Sequence, residues 1–315
     1  MKVIVTGGAG FIGSWVVDRL VEAGNDVIVM DNLSSGSKKN IERHLKNKHF
    51  EFLPLDVVDA YKSSDSFSGA DLIVHLAAMV SVPRSIEDPV AAFRTNTEAT
   101  LGLLALAVKH RIGRFVFLSS VAVYGNPTEL PLREDMPINA LSPYAASKAA
   151  AEALCDAYRS SYGLKTCILR LTNVYGPRMK KGAYASVISE FLDATSRGEP
   201  LKVYGNGEQT RDFVHVQDVV DAIMGALDLK KAECGVFNIG TGKETSVNEL
   251  ARMFLEISGK AETEVEHLEP RMGEVVQSYA DIGRARKLLG YEPRVDLRSG
   301  LRWLIEWRRS EEAQG

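Results

Sequence analysis

Residues 2–13 read KVIVTGGAGFIG, and how they are read decides the fold. Lys2–Thr6 is a short strand-like run. Gly7, Gly8 and Gly10 crowd the turn after it, and Phe11-Ile12-Gly13 opens a helical pattern that continues to Ala23. In such a strand–turn–helix, glycine permits a tight bend, close approach of backbone to a pyrophosphate, and tight packing of helix on strand. The head of the helix then offers free N–H groups and its positive dipole end to the phosphates. The spacing at Gly7, Gly10 and Gly13 is G-x-x-G-x-x-G, not the commoner G-x-G-x-x-G, so the turn alone also fits a purely structural corner. The next apolar run ends at Asp31, eighteen residues beyond Gly13. A carboxylate there accepts both ribose hydroxyls of an adenosine and repels a 2′-phosphate, which favours NAD over NADP. The plainer role for Asp31 is a turn former ahead of Asn32-Leu33-Ser34-Ser35-Gly36; turn and acid together point to NAD as the cofactor.

The same texture repeats downstream. Asp26–Asp31, Phe50–Pro54, Leu72–Leu76, Phe115–Ser119 and Thr166–Arg170 are short runs rich in Val, Ile, Leu and Phe, interleaved with helical patterns at Pro89–His110 and Ser142–Tyr162. Runs without polar alternation read as strands of a parallel sheet covered on both faces. Alternating βα units wind with right-handed crossovers, so the fold class is α/β, a doubly wound parallel (Rossmann) sheet. Beyond Asn173, glycine and proline become frequent, and Gly235–Gly240 reads as one more strand returning to the sheet. The expected domains are an NAD-binding Rossmann domain over 1–175 plus about 233–240, and a smaller, discontinuous C-terminal substrate-binding lobe over about 176–232 and 241–315. The polar tail from Arg308 is expected to fray.

At 315 residues the chain exceeds the ~250–300 at which a single core stops growing. With 45% hydrophobic and 25% charged residues it is not a disordered, collagen-like or membrane-embedded chain. A net charge of -3, from 38 Lys+Arg against 41 Asp+Glu, gives no general case for nucleic acid, so any bound anion is held by a local site. Met1-Lys2 leads straight into the first strand with no apolar signal core, and no stretch is apolar and long enough to span a bilayer. The expectation is a soluble cytoplasmic protein with no nucleic-acid or membrane partner. Cys155, Cys167 and Cys234 form no CxxC pair or Cys/His cluster, and read as free thiols with no metal site.

The chemistry gathers in two segments. Phe115–Leu118 ends in Ser119-Ser120, and SPYAASK follows at 142–148. On a helix, Tyr144 and Lys148 stand four apart and share one face. A lysine beside a phenol, with a positive nicotinamide near, stabilises phenolate. That makes a base able to take a hydroxyl proton as hydride leaves carbon, and Ser120 reaches the same oxygen. Alone, a Tyr/Lys pair is a common surface pair; with the serine and the dinucleotide turn it reads as catalytic.

With these residues in view, the chain resembles the extended short-chain dehydrogenase/reductases, in particular the nucleotide-sugar epimerases close to UDP-glucose 4-epimerase. The resemblance spans nearly the whole chain: TGGAGFIG (6–13), DNLSSG (31–36), VHLAA (74–78), SSVAVYG (119–125), SPYAASK (142–148), LRLTNVYGP (169–177), RDFVHVQDV (211–219), NIGTG (238–242) and RMGE…AD (271–281). It implies Ser120, Tyr144 and Lys148 as the catalytic set, with Tyr144 taking the proton of the sugar 4-hydroxyl while hydride passes from C4 to NAD and back to the other face. It implies further cofactor contacts at Phe11, Ile12, Asn32, Ser35, Gly36, Asp56, Val57, Leu76, Ala77, Ala78 and Asn96. On the substrate side it implies Asn173, Arg211 and Arg271 at the diphosphate and Val187, Val203 and Tyr204 around the uracil, with His215 structural.

The same resemblance separates chemistries. Dehydratases place an Asp-Glu pair where this chain has Val121 and Ala122, decarboxylating relatives usually keep a glutamate at Ala122, and 3,5-epimerases use a cysteine near it. Their absence leaves hydride shuttling at one carbon, so the expected enzyme is an NAD-dependent UDP-sugar 4-epimerase of galactose metabolism, an isomerase acting on UDP-glucose/UDP-galactose. Where relatives carry a bulky gate, seven residues after Arg271, stands Ser278, which admits the UDP-GlcNAc/UDP-GalNAc pair; a register one residue on, at Tyr279, reverses that. Rival readings are a UDP-uronate 4-epimerase or other NDP-sugar oxidoreductase, and, outside enzymes, a dinucleotide-sensing regulator. Relatives pair the helices of 89–110 and 142–162, which implies a homodimer.

Overall fold

The computed structural model describes residues 1–179, 186–228, 235–260, 262–270 and 275–314. Six strands alternate with helices through the first part: β1 (Lys2–Thr6), β2 (Asp26–Met30), β3 (Phe50–Leu53), β4 (Leu72–His75), β5 (Arg114–Ser120) and β6 (Lys165–Leu171). Short strands β7 (Asn173–Tyr175), β8 (Leu201–Tyr204), β9 (Thr210–Arg211) and β10 (Phe213–His215) follow, then β11 (Gly235–Ile239), β12 (Thr245–Ser246) and β13 (Val265–Leu268). The helices are α1 (Phe11–Glu22), α2 (Val82–Glu87), α3 (Pro89–Phe93), α4 (Ala99–Lys109), α5 (Pro143–Tyr162), α6 (Val187–Arg197), α7 (Val216–Leu227), α8 (Val247–Ser258), α9 (Gly283–Leu289) and α10 (Leu297–Gln314).

One sheet of seven strands runs β11-β6-β5-β4-β1-β2-β3, every pairing parallel. The two-residue period of the strands divides their side chains between two cores. Val3 and Val5 join Val16, Val17 and Leu20 of α1 and Val219 and Ile223 of α7 on one face. Ile4 joins Leu103 and Leu104 of α4 and Ala151 and Cys155 of α5 on the other. Burial on both faces is why these strands carry no polar alternation. As its run of apolar residues indicated, β11 returns to the sheet, in register with β6 from Gly235↔Cys167 to Ile239↔Leu171. A smaller lobe has its own core, in which Ile188, Phe191, Leu250, Phe254, Leu301 and Leu304 of α6, α8 and α10 meet Leu201 and Val203 of β8.

One local expectation is refined and one is overturned. The pattern over 89–110 is helical without a break from Pro89 to Lys109, with a π-turn at Arg94–Glu98 joining α3 to α4, and the short α2, capped by Ser81, precedes it. The tail does not fray at Arg308, because α10 continues to Gln314 and Arg308 is buried, 3.1 Å from Asp193. Leu301, Leu304, Ile305 and Arg308 stand at i, i+3, i+4 and i+7, one stripe facing the core. Cys155 and Cys167 are buried; Cys234 lies outside the described residues. Among the described residues, no helix is long and apolar enough to cross a membrane.

Candidate active site

The strand order reverses at β1, between β4 and β2, which opens a crevice at the carboxyl ends of the strands. Gly7 bends there with φ +71. A Cβ on it would stand 2.7 Å from the Ala77 amide nitrogen, and one on Gly13 would stand 2.1 Å from the Gly7 carbonyl oxygen. The turn therefore lies flat against Leu76-Ala77-Ala78, where the chain leaves β4. Helix α1 has Gly10 as N-cap, with no side-chain cap and no acid in its first turn, so Phe11, Ile12 and Gly13 keep the positive dipole end for an anion.

Asp31, buried at the end of β2, accepts from the Ala9 amide at 3.0 Å and the Leu33 amide at 2.8 Å. Asn32 donates to Asp56 at 2.7 Å, and Asp56 accepts from the Val58 amide, next to the buried Val57. The Ser37 amide and the Asn40 side chain both donate to the Ala9 carbonyl at 2.9 Å, folding the loop over the glycine turn. A cleft of about 370 Å³ opens beside it, lined by Phe11, Ser35, Gly36, Arg178 and Trp307 among others. Glycine cradle, uncapped helix and carboxylate fit a dinucleotide. Asn96 stands behind this crevice: it is completely buried, and its amide is spent on Met79 and on Ser147 of α5.

Ser120 ends β5 and accepts from the Ala122 amide at 3.1 Å. Helix α5 starts with Ser142 capping the Ala145 amide and Pro143 in its first turn, which puts Tyr144 at the mouth of the crevice. The Tyr144 amide donates to the buried Ser85 hydroxyl at 3.0 Å. Burial pushes the Tyr144 phenol above its ordinary value, and a hydrogen bond with the Ser120 side chain works against that. One turn on, Lys148 donates to the Leu118 carbonyl at 2.8 Å and stands 4.7 Å over the Phe117 ring. Burial brings its pKa down to about 8, against the pull of Glu152. The three catalytic candidates therefore meet at one strand end before any ligand arrives.

The substrate candidates are more dispersed. The Asn173 amide donates to the Asp212 carbonyl at 2.9 Å, which brings Asn173 beside Arg211. The Asp212 carboxylate accepts from Thr241 at 2.6 and 2.8 Å, from the Gly242 amide at 3.1 Å and from the Ala280 amide at 3.3 Å. Arg211 and Ser278 are thereby tied into one unit. Val187 opens α6, Tyr204 is half-buried at the end of β8, and Val203 is completely buried in the lobe's core. His215 is buried against Tyr175 and Trp303. Arg271 lies outside the described residues. Four supporting residues carry no role in the sequence reading: Ser147 and Asp212 lie inside SPYAASK and RDFVHVQDV, Ser85 lies outside every motif, and Glu152 stands four beyond Lys148 on the same helix face.

The profile of the NAD dependent epimerase/dehydratase family matches residues 3–240. The chain belongs to that family. Within this epimerase/dehydratase family it is 40% identical over 315 residues to a UDP-glucose 4-epimerase of Mycolicibacterium smegmatis, covering 99% of each chain. A structure of UDP-glucose 4-epimerase with UDP-glucose from Thermotoga maritima superposes with a TM-score of 0.93 at 38% identity, covering 99% of this chain and 100% of that one. A UDP-glucuronic acid 4-epimerase of Bacillus cereus, in complex with UDP-glucuronic acid and NAD, does so with a TM-score of 0.92 at 31% identity, covering 99% and 100%. NAD is the cofactor of the family, and the crevice described above has the features such a molecule needs.

Proposed function

We propose that the protein is an NAD-dependent UDP-hexose 4-epimerase that interconverts UDP-glucose and UDP-galactose through a transient 4-keto sugar. The observation that carries this reading is the pre-assembled contact of Tyr144 with Ser120 above Lys148, followed by side chains that move no protons, Val121 and Ala122. Bound NAD supplies a reversible hydride acceptor. Tyr144 takes the proton from the sugar O4 and returns it, Ser120 hydrogen-bonds the same oxygen, and the Lys148 charge favours the phenolate. Asn173 and Arg211, with Arg271, hold the diphosphate; Val187 and Tyr204 form the uracil side, with Val203, the residue before Tyr204, buried in the core of the lobe. Gly7, Gly10, Phe11, Ile12, Gly13 and Asp31 carry the dinucleotide, with Asn32, Ser35, Gly36, Asp56, Val57 and Leu76–Ala78 along its adenosine and nicotinamide sides. With no acid or base at positions 121 and 122, a 4-keto sugar returns to a hexose and is not dehydrated or decarboxylated.

A second reading, a UDP-uronate 4-epimerase, is favoured by the likeness to the Bacillus cereus enzyme. Val82, Ile86, Val90, Phe93 and Leu101 expose apolar surface on α2, α3 and α4, and support a homodimer formed on that face. The test is to give purified protein, with and without added NAD, UDP-galactose, UDP-GalNAc and UDP-galacturonate separately, and to resolve the products by NMR. Conversion of UDP-galactose to UDP-glucose without net NADH formation is expected. Conversion of the uronate alone would replace the first reading by the second.

A further inference from the structure

One buried polar group beneath the catalytic face has no part in the chemistry above. Glu152 lies one turn beyond Lys148 and two beyond Tyr144, so all three occupy one face of α5. It is 2% exposed, and it accepts from the Ser119 hydroxyl at 2.5 Å. It also receives the fork of Arg170 on β6, from Nε at 3.0 and 3.1 Å and from Nη2 at 2.6 Å. Arg170 spends Nη1 on the Tyr124 hydroxyl at 2.8 Å and lies 4.7 Å over the Tyr124 ring. Tyr124 in turn donates to Asn238 at 2.8 Å. Three successive residues at the end of β5 thus each grip α5: the Leu118 carbonyl holds Lys148, Ser119 holds Glu152, and Ser120 meets Tyr144.

A buried ion pair is a poor source of stability, because desolvation offsets its attraction and an apolar pair of similar volume serves as well. What a two-pronged guanidinium–carboxylate contact supplies is geometry. Here it locks α5 against both β5 and β6 at the turn below the proposed base. We infer that Glu152 is a positioning residue for proton transfer at Tyr144: held by Ser119 and Arg170, it sets the height of α5 so that the phenol and the Ser120 hydroxyl converge on one substrate oxygen. The inference rests on the epimerase reading. The Glu152 charge also favours the charged form of the buried Lys148 ammonium.

Removing one partner would strand the other charge in the core, so the test removes both. In Glu152→Gln/Arg170→Met, with wild type in parallel, bound NAD per protomer and the UDP affinity measured by titration calorimetry are expected within about twofold of wild type. The kcat for UDP-galactose is expected to fall roughly 10- to 100-fold with KM little changed, the size of loss that follows slight misplacement of a reacting group. Ser119→Ala, which keeps the ion pair, is expected to keep its Tm and lose about 3- to 10-fold in kcat. A double variant with wild-type kcat, or with kcat and UDP affinity lost in equal measure, overturns the positioning role. If the double variant does not fold, Ser119→Ala decides alone, and wild-type kcat there overturns it. Wild-type protein that leaves UDP-galactose unchanged refutes the epimerase reading instead.

Discussion

The side-chain ammonium of Lys148 donates to the main-chain carbonyl of Leu118 across 2.8 Å, so a helix residue is anchored to the strand whose end carries Ser120. The anchor places a buried charge beneath Tyr144, and among the described residues no carboxylate pairs with it. Tyr144 itself is 8% exposed, with Ser120 as its side-chain hydrogen-bond partner. Tyr144→Phe should therefore cost little stability, about 1 kcal/mol for one hydrogen bond. It should retain NAD and lower kcat by roughly 10²- to 10⁴-fold, the usual contribution of a positioned base. Turnover measured alongside thermal melting checks both halves. A variant with near wild-type kcat would show that another group takes the proton.

The glycine turn gives a second expectation. A methyl group on Gly13 would lie 2.1 Å from the Gly7 carbonyl oxygen, a backbone atom with no rotamer to escape into. Gly13→Ala must push α1 away from β1, at a cost of about 1–3 kcal/mol for overpacking. The amides at the head of α1 move with it, so the variant should purify with little or no NAD and melt at lower temperature. Release of the nucleotide from denatured protein, compared with wild type, measures the first effect.

Acid should unfold the protein partly through His75. Its ring is buried between Thr6, with Oγ1 2.7 Å from Nδ1, and Thr100, with Oγ1 3.0 Å from Nε2. The Thr100 hydroxyl already donates to the Asn96 carbonyl at 2.6 Å, so it accepts from Nε2–H, and Nδ1 accepts from Thr6. Both nitrogens are satisfied only in the neutral ring. Burial first, then the charge of Lys148, bring the pKa down from 6.5 to about 3. Between those values the unfolded chain binds the proton and the folded chain does not, so stability is complete above pH 6.5 and falls as pH drops toward 3. At pH 5 this site alone should remove about 2 kcal/mol. Urea titrations at pH 7.5 and pH 5 should show a smaller difference for His75→Gln than for wild type; equal differences would remove His75 from the account.

How far the sequence disclosed all this depends on the range of the forces involved. The turn at Gly7–Gly13 and the acid at Asp31 were legible because strand, turn and helix are contiguous and their chemistry is local. The π-turn around Asn96 was not, since its side chain is drawn to Met79 and Ser147, partners assembled only by the fold. Asp212 stands inside RDFVHVQDV, but its role was hidden for the same reason: its four contacts come from Thr241, Gly242 and Ala280. Arg308 misled in the opposite way. Its charge suggested a solvated tail, while its spacing from Leu301, Leu304 and Ile305 placed it on the buried stripe of α10.

The sugar's size should be governed near Ser278. This serine is 8% exposed, and its neighbours are fixed on two sides: the Leu132 amide donates to the Tyr279 carbonyl at 2.9 Å, and the Ala280 amide donates to Asp212. A register held so firmly makes the identity of the residue at 278, rather than loop movement, the variable that sets the space available. Ser278→Tyr should then raise KM for UDP-GalNAc by roughly tenfold or more while UDP-galactose changes about threefold at most, the discrimination a crowded pocket achieves. Tyr279→Ser should leave the ratio of the two substrates unchanged. If Tyr279→Ser instead opens the site to larger sugars, the gate lies one residue on. Equal losses for both sugars in Ser278→Tyr would mean that the ring displaces Ala280 from Asp212, and UDP itself should then bind less tightly, because Arg211 precedes that same aspartate.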